Sequence, residues 1–251
     1  MNRLLISIFI IGVASGQMSA QIINVENKRI STDTIGFSGK VGMSLSASKF
    51  TQSFLAAEFA SQVQWKTTKN IYLLVGNFQI VNAGGESFNN SGYGHFRFNR
   101  KLSSKIRLEL FTQVQYNSVT KITARYLNGA GLRFKLSPYE NAKIYWGIAA
   151  MHEYEELSSP EITNKDIRLS SYLSFTLTPV KTITFRNTTY AQPLTSDFKD
   201  YRLSNNTRIN FGITENLNFT TDFHFLYDSR PPIDVPTINY QVKNGLTYRF
   251  N

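Results

Sequence analysis

Many arginine and lysine residues of this sequence stand within short stretches in which polar and apolar residues alternate. Because side chains alternate between the two faces of a β-strand, these residues fall on one face. On the inner wall of a barrel, rings of cationic side chains attract and select anions. The residues predicted to line such an anion path are Arg97, Arg107, Arg125, Arg133, Arg168, Arg186, Arg202, Arg208, Lys243 and Arg249, with Lys40, Lys101, Lys135 and Lys143 on the same face.

Acidic residues are scarcer on this face, where the alternation places only Glu58, Glu109, Glu153 and Asp222. A buried cation without a partner is unfavourable, so the excess of positive charge predicts water or bound anions inside. The alternative interpretation is a filled interior, in which long polar side chains pack together and hydrogen-bond to Ser, Thr, Asn and Gln.

The three histidines, His95, His152 and His224, are the other candidates for chemistry. A hydrolase needs a histidine beside a serine, and at an outer-membrane surface that pair would lie at the rim. The alternation places His152 on the outer face near the rim, with Ser171 of the next strand as the nearest candidate partner. His95 and His224 fall on the inner face, where solvated histidines need no metal. We therefore predict no catalytic residue, no metal and no cofactor.

Twelve alternating segments must position these residues, and helical periodicity is absent after the N-terminal leader. In the clearest segment, apolar Leu217, Phe219 and Phe223 alternate with polar residues. The third segment is apolar on both faces at its start, so its register is not fixed by the pattern. The predicted segments are 35–45, 53–65, 70–81, 93–102, 106–116, 122–136, 143–155, 166–177, 182–191, 201–213, 217–227 and 238–250.

The connections between the segments alternate in length. Short linkers such as "SSK" and "TEN" alternate with longer ones such as "NAGGESFNNSG" and "DSRPPIDVPT". Short turns on one side, longer loops on the other and an even number of strands are typical of an outer-membrane barrel. Both termini then lie on the short-turn side, which is periplasmic.

Aromatic residues predict where the outer face crosses the two lipid–water interfaces. Tyrosines from six segments form one girdle near the long loops, and tryptophans mark a second girdle near the short turns. A soluble β-sandwich has no reason to place aromatic residues in two rings. The girdle residues are Tyr116, Tyr126, Tyr154, Tyr201, Tyr227 and Tyr240 on one side and Trp65 and Trp146 on the other.

Polar residues interrupt the outer face of the eighth to tenth segments, namely Ser171, Asn187, Thr189, Asn205 and Thr207. Such residues are unfavourable at the middle of a bilayer and tolerated near an interface. Three explanations are open. These strands project above the membrane, the residues contact a subunit or lipopolysaccharide, or the register is misassigned.

The N-terminus has the pattern of a secretory signal peptide, which we place at residues 1–20. Arg3 precedes the apolar run "LLISIFIIGV", which is too short to span a bilayer, and small residues follow it. Cleavage after Gly16 or after Ala20 fits the pattern.

Residues 21–32 are then predicted to be a short periplasmic segment, and residues 33–251 to be the barrel. The segment is too short to form the plug of an energised transporter. The sequence has no cysteine, which excludes disulfides and thiolate metal sites. Behind a signal peptide, the formal net charge of +10 favours anionic lipid or anionic solutes over nucleic acid as partners.

The last segment, "TINYQVKNGLTYRFN", alternates almost to the end of the sequence. In a membrane barrel the last strand pairs with the first, so that no polar sheet edge is left in hydrocarbon. Tyr248 and Phe250 form the aromatic ending that such barrels typically present to the barrel-assembly machinery, with Asn251 one residue beyond it.

Two stretches resemble a known family. They are "QVQYNSVTKITARYLNGAGLRFKL" (113–136) and "LYDSRPPIDVPTINYQVKNGLTYRF" (226–250), and their matching residues are Gly129, Gly131, Arg133, Tyr227, Ser229, Pro231 and Pro232. The sequence is similar here to the salt-induced outer-membrane protein family, which is YdiY-like and of unknown function. The resemblance implies an outer-membrane barrel induced by or tolerant of salt stress, with no established reaction and no catalytic residues.

We therefore predict an all-β protein, an antiparallel up-and-down transmembrane β-barrel of about twelve strands in the outer membrane of a Gram-negative bacterium. Its expected role is a small passive pore with a basic, anion-preferring lumen, linked to envelope or salt-stress adaptation. The alternatives are a plugged structural barrel without transport and an outer-membrane lipid-modifying hydrolase. Expected partners are outer-membrane lipids, lipopolysaccharide, the barrel-assembly machinery during biogenesis and small anionic solutes, with no nucleic acid.

Overall fold

The computed structural model describes residues 23–30, 34–137, 139, 141–158 and 160–248. No helix in these ranges is both long enough and apolar enough to cross a membrane. Apart from the short 3₁₀ helix Glu26–Lys28, the regular elements are strands. They are β1 (Gly36–Lys49), β2 (Ser53–Lys66), β3 (Asn70–Ala83), β4 (Glu86–Lys101), β5 (Ile106–Asn117), β6 (Ile122–Lys135), β7 (Ala142–Ser158), β8 (Glu161–Val180), β9 (Ile183–Pro193), β10 (Tyr201–Gly212), β11 (Leu217–Asp228) and β12 (Ile238–Tyr248).

The strands form one antiparallel sheet of twelve strands, in which each strand pairs with its neighbours in sequence. This confirms the predicted all-β, up-and-down fold and the predicted strand number. β1 and β12 are the two ends of the strand order, and no ladder joins them among the residues described. The pairing of the last strand with the first stays a prediction.

Two hairpins are longer than the sequence pattern indicated. The stretch "NAGGESFNNSG" was predicted as a loop, but β3 and β4 continue through it to a turn at Gly84 and Gly85. Both glycines have positive φ, +61° and +87°, which suits a two-residue hairpin turn that follows the twist of the strands. β7 and β8 likewise continue through the predicted loop 156–164. These stretches consist mostly of polar residues, so they show no alternation of polar and apolar side chains from which a strand could be predicted.

The sheet curls around residues 23–30, which we call the insert. Side chains of β2, β4, β5, β6 and β9 all hydrogen-bond or pair with residues of this one short segment. Strands also meet directly across the interior, since the Tyr172 hydroxyl of β8 donates to Glu109 Oε2 of β5 at 2.8 Å. A flat sheet could not make these contacts, and a barrel can.

The insert belongs to the stretch 21–32, for which a short periplasmic segment stays a prediction. Residues 23–30 lie against the inner face of the sheet, and Asn24, Val25 and Glu26 are buried there. Val25 packs with Leu73 and Val75 of β3, and Ile23 and Tyr93 border the same cluster. This packing explains why the third segment is apolar on both faces. One face meets the exterior and the other meets the insert.

Candidate functional site

The insert is fixed to the barrel wall by a group of ion pairs that we call the Glu109 cluster (Glu26, Arg29, Arg97, Glu109 and Arg133). Arg29 lies 2.5 Å from carboxylate oxygens of both Glu26 and Glu109. Arg133 reaches the other oxygen of Glu26, Oε1, at 2.5 Å, and Arg97 lies 3.6 Å from Oε2, the oxygen that Arg29 also contacts. Three cations therefore share two carboxylates in a buried site.

Neutral groups complete this cluster. Asn99 accepts from Arg29 Nη1 at 2.8 Å and donates to Glu109 Oε1 at 2.6 Å, and Tyr145 lies beneath the Arg133 guanidinium at 3.6 Å. Buried ion pairs are favourable only when such hydrogen bonds satisfy the remaining polar atoms. Burial favours the neutral form of Arg29, but Glu26 and Glu109 outweigh it and raise the pKa of Arg29.

A second group of charges fills the interior near the ends of β7, β8 and β10. The Glu153 cluster consists of three arginines and three acids, listed with their strands as Arg125 (β6), Glu153 and Glu155 (β7), Arg168 (β8), Arg202 (β10) and Asp228 (β11). Glu153 contacts all three arginines, at 3.0 Å from Arg125, 2.7 Å from Arg168 and 2.6 Å from Arg202. Arg168 also pairs with Asp200 at 2.8 Å. The carboxylates therefore at least balance the arginines, and this part of the interior needs no outside anion.

Small residues on the inner wall make room for large rings. A Cβ on Gly147 would lie 2.1 Å from the ring of Tyr172, and one on Gly129 would lie 2.1 Å from the ring of Phe111. Tyr172 packs against Tyr190 with ring centroids 5.0 Å apart and the rings tilted by 38°. The interior on the side of β4–β9 is therefore packed with side chains.

On the opposite side the interior is open, and we call this space the basic cavity. It has a volume of about 390 Å³ and lies between the insert and the wall formed by β9–β12 with β1 and β2. Four of its residues lie side by side on neighbouring strands. In the β-ladders Arg186 lies opposite Arg208, Arg208 opposite Asp222, and Asp222 opposite Lys243. Lys40 of β1 and Lys28 of the insert complete the charged lining.

The charges of the basic cavity are not balanced. Arg208 donates two hydrogen bonds to Asp222, from Nε to Oδ1 at 2.5 Å and from Nη2 to Oδ2 at 2.9 Å. Among the described residues, Lys28, Lys40, Arg186 and Lys243 form no ion pair with a carboxylate. Burial and the nearby cations Lys40 and Arg208 lower the pKa of Lys28, as expected where positive charge accumulates. The lining therefore carries an excess of cations in a space that is open to solvent.

The ten cations predicted to line the path thus fall into distinct environments. Arg97 and Arg133 belong to the Glu109 cluster, and Arg125, Arg168 and Arg202 to the Glu153 cluster. Arg107 lies opposite Arg133 in the β5–β6 ladder and forms no ion pair with a carboxylate in the described part of the chain. The cations that face open space are Arg186, Arg208 and Lys243. Arg249 and Phe250 lie outside the described residues.

Several interior residues were missed by the sequence pattern. Glu155 and Asp228 point to the same inner face as Glu153 and Asp222. Glu155 is the last residue of the predicted segment 143–155 and was not counted as an interior acid, and the predicted segment 217–227 ends one residue before Asp228. Glu26, Lys28 and Arg29 precede the first strand and were not considered as lining. The one sequence feature that pointed to them was the apolar inner face of β3. An apolar face inside a polar lumen indicates that another segment packs against it.

The histidines do not assemble a catalytic site. His152 is exposed and lies opposite Ile167, whereas Ser171 lies opposite Ile148. The two residues are therefore separated by four positions along the paired strands, which is roughly 13 Å. Ser171 accepts a hydrogen bond from Trp146 Nε1 at 3.1 Å. His95 is buried beside Gln113, and among the described residues no three His, Cys, Asp or Glu side chains could hold a metal ion.

The predicted girdle tyrosines pair between neighbouring strands. Tyr126 lies 6.0 Å from Tyr154, and Tyr201 lies 5.3 Å from Tyr227, measured between ring centroids. At the other end Trp146 stacks on Phe134 at 5.3 Å and Trp65 on Tyr72 at 5.1 Å. The remaining predicted girdle residues are Tyr116, which lies 6.5 Å from Phe78, and the exposed Tyr240.

The polar residues on the outer face of β9 and β10 form a closed ring of hydrogen bonds. Asn187 Nδ2 donates to Thr207, Thr207 Oγ1 to Asn205, Asn205 Nδ2 to Thr189, and Thr189 Oγ1 to Asn187, at 2.7 to 3.1 Å. Thr188, between two of them, contacts the insert, so the outward assignment of its neighbours is correct. Each of the four residues donates one hydrogen bond within this polar ring. The inward position of Thr188 removes misassigned register as an explanation.

Residues 40–250 match a family described as a protein of unknown function, DUF481. The chain belongs to this family. The match agrees with the resemblance drawn from the hairpin at 113–136 and the final strand. No curated protein matches this DUF481 chain.

Three solved structures are similar to this DUF481 chain at low identity. The NanC porin is 13% identical, with 84% of this chain and 98% of that chain covered and a TM-score of 0.46. The KdgM porin is 12% identical, with 86% and 99% covered and a TM-score of 0.42. The translocator domain of autotransporter NalP from Neisseria meningitidis is 11% identical, with 85% and 82% covered and a TM-score of 0.29. At these scores the similarities carry no inference about function.

Proposed function

We propose that this DUF481 protein is an outer-membrane barrel that admits small anions through a narrowed, cationic interior. The observation that carries the proposal is the basic cavity, whose lining has cations without carboxylate partners in a solvated space. Rings of Arg and Lys attract anions electrostatically and disfavour cations. The outer location, with periplasmic termini and lipid contact through the girdles, is part of the same proposal.

The insert has a defined place in this function. It occupies the interior beside β3–β6, where the Glu109 cluster fixes it, and leaves open the side of β9–β12. An anion that enters therefore meets the row formed by Arg186, Arg208 and Lys243, with Lys28 opposite. We propose that the insert narrows the lumen while adding a cation to the remaining space.

The balanced Glu153 cluster favours a second candidate function, which is a plugged barrel that stabilises the envelope without transport. Its three arginines are nearly fully buried and paired, as expected for interior packing. A role in salt-stress or envelope adaptation, which the family resemblance implies, fits either candidate. The two candidates differ in whether the interior passes ions.

Single-channel recording distinguishes the two candidates. Refolded protein is inserted into a planar bilayer with a KCl gradient across it, and the reversal potential of the current is measured. A passage for anions gives discrete openings with a reversal potential that favours chloride, and Arg186→Gln with Lys243→Gln reduces that preference. A silent barrel that is correctly inserted would refute the passage and support the plugged alternative.

A further inference from the structure

The basic cavity has the size and lining of a small-molecule site. Its volume of about 390 Å³ falls within the range of roughly 300–1,000 Å³ typical of ligand pockets. Three layers of lining follow one another along the inner wall of β9–β12. The cationic row of Arg186, Arg208 and Lys243 is followed by a row of amide and imidazole groups, and then by Leu226.

The middle layer is polar and largely neutral. Asn206 pairs with His224, and His224 with Gln241, along the same strands. Asn206 Oδ1 lies 2.5 Å from His224 Nδ1, which fixes both side chains in the wall. Such groups provide hydrogen bonds to neutral polar atoms of a ligand but no further charge.

The third part of the lining is apolar. Ile23 of the insert, Tyr93 of β4 and Leu226 of β11 all line the cavity. Hydrated chloride makes no favourable contact with apolar side chains, so conduction of chloride alone does not account for an apolar patch beside the cationic row. Ligand pockets combine apolar surface with a few placed polar groups, which fix the orientation of the ligand.

The insert contributes directly to this lining, because Asn24, Asn27 and Lys28 all face the cavity. Asn24 Nδ2 donates to the Thr188 carbonyl oxygen at 3.0 Å, and Thr188 Oγ1 donates to Asn27 at 2.9 Å. Gln62 Nε2 of β2 donates to the Lys28 carbonyl oxygen at 2.6 Å. These bonds hold Lys28 opposite the cationic row, so the lining is incomplete without the insert.

We propose that the basic cavity binds a small organic anion that carries at least two negative charges and an apolar face. Lys28, Arg186 and Lys243 contact its charged groups, and Tyr93 and Leu226 contact its apolar face. This inference rests on the proposed function, since it names the class of anion that the interior admits.

The test is isothermal titration calorimetry of the refolded full chain in a non-ionic detergent at low salt. The probes share one ring and differ in charge: isophthalate with two charges, benzoate with one, and isophthalamide with none. We expect isophthalate to bind at least about tenfold more tightly than benzoate, a difference of about 1.4 kcal/mol, and isophthalamide not to bind. Equal affinity for all three probes would overturn the proposal.

Variants locate the site. We expect Lys28→Gln and Lys243→Gln each to weaken isophthalate binding about tenfold, since each removes one charge from a shared cationic lining. Lys181→Gln, in the exposed turn between β8 and β9, is the matched control and leaves affinity unchanged. Loss of binding in the control as well, or in none of the variants, would overturn the assignment. Inorganic phosphate binding as tightly as isophthalate would overturn the assignment to an organic anion.

The same preparation separates this inference from the proposed function. Saturable binding by a barrel that is silent in the bilayer would refute the passage and retain the site. Chloride current without saturable binding would refute the site and retain the passage.

Discussion

The strongest prediction concerns Glu26, which connects the insert to three arginines of the interior. Burial alone would raise the pKa of Glu26, but Arg133, Arg29 and Arg97 outweigh it and hold the pKa at about 2, below its ordinary 4.5. Because the depressed pKa belongs to the docked state, ionised Glu26 favours docking above pH 4.5, and this contribution is lost as the pH falls toward 2. The difference corresponds to about 3 kcal/mol of docking free energy at pH 7.

Thiol labelling measures this docking, because the natural sequence has no cysteine. Val25 is 1% exposed when the insert is docked, so Val25→Cys reacts only when the insert leaves the wall. In that background, Glu26→Gln should raise the rate of reaction with dithiodipyridine on the order of 100-fold at pH 7. At pH 3, where an undocked Glu26 is already protonated, the ratio should fall to about tenfold.

The matched control is Glu215→Gln, the same substitution in the exposed turn between β10 and β11. It should leave the labelling rate unchanged at both pH values. Equal rates for Glu26→Gln and Glu215→Gln would refute the view that ion pairs hold the insert in the lumen.

Three further predictions concern stability and are measured by urea unfolding of the refolded barrel. Thr207→Val opens the polar ring and leaves a buried amide without its partner, so it should destabilise by about 1–3 kcal/mol; no effect would mean that the ring is solvated. Glu153→Gln leaves three buried arginines short of a carboxylate and should destabilise by about 3–5 kcal/mol, whereas Glu161→Gln on the exposed start of β8 should not. Gly131→Ala places a Cβ 2.1 Å from the Ile148 carbonyl oxygen and should destabilise by about 1–3 kcal/mol, whereas Gly42→Ala meets open space; equal stability of the two would contradict the close approach.

The strand pattern could be predicted because alternation is a local property. Most of the segments have side chains of opposite polarity on their two faces, as in Leu217, Phe219 and Phe223 of β11, and this alternation does not depend on distant contacts. The exact strand ends could not be predicted in the same way. Polar residues near Gly84 and in 156–164 extend two hairpins, and nothing local distinguishes such strands from loops.

The interior was predicted only in part, because it depends on long-range contacts. The alternation places Arg125, Arg168 and Arg202 on the same face as Glu153, and the structure brings these four residues into contact. The alternation could not show that a segment before β1 folds back into the lumen, since Glu26 meets Arg133 across 107 positions of sequence. The excess of cations inferred from the alternation was too large because Glu155 and Asp228, at the strand ends, were not counted. The insert contributes Glu26 but also two cations, Lys28 and Arg29. Part of the remaining excess lines the basic cavity.

The most direct test of a narrowed anion passage compares single-channel currents of the natural sequence and of Glu26→Gln/Arg29→Gln in the same bilayer. The double variant releases the insert but keeps the Arg186, Arg208 and Lys243 row. We predict a small chloride-preferring current for the natural sequence and a larger current for the variant that still prefers chloride. Currents that are unchanged by the variant, or that prefer potassium, would contradict the account.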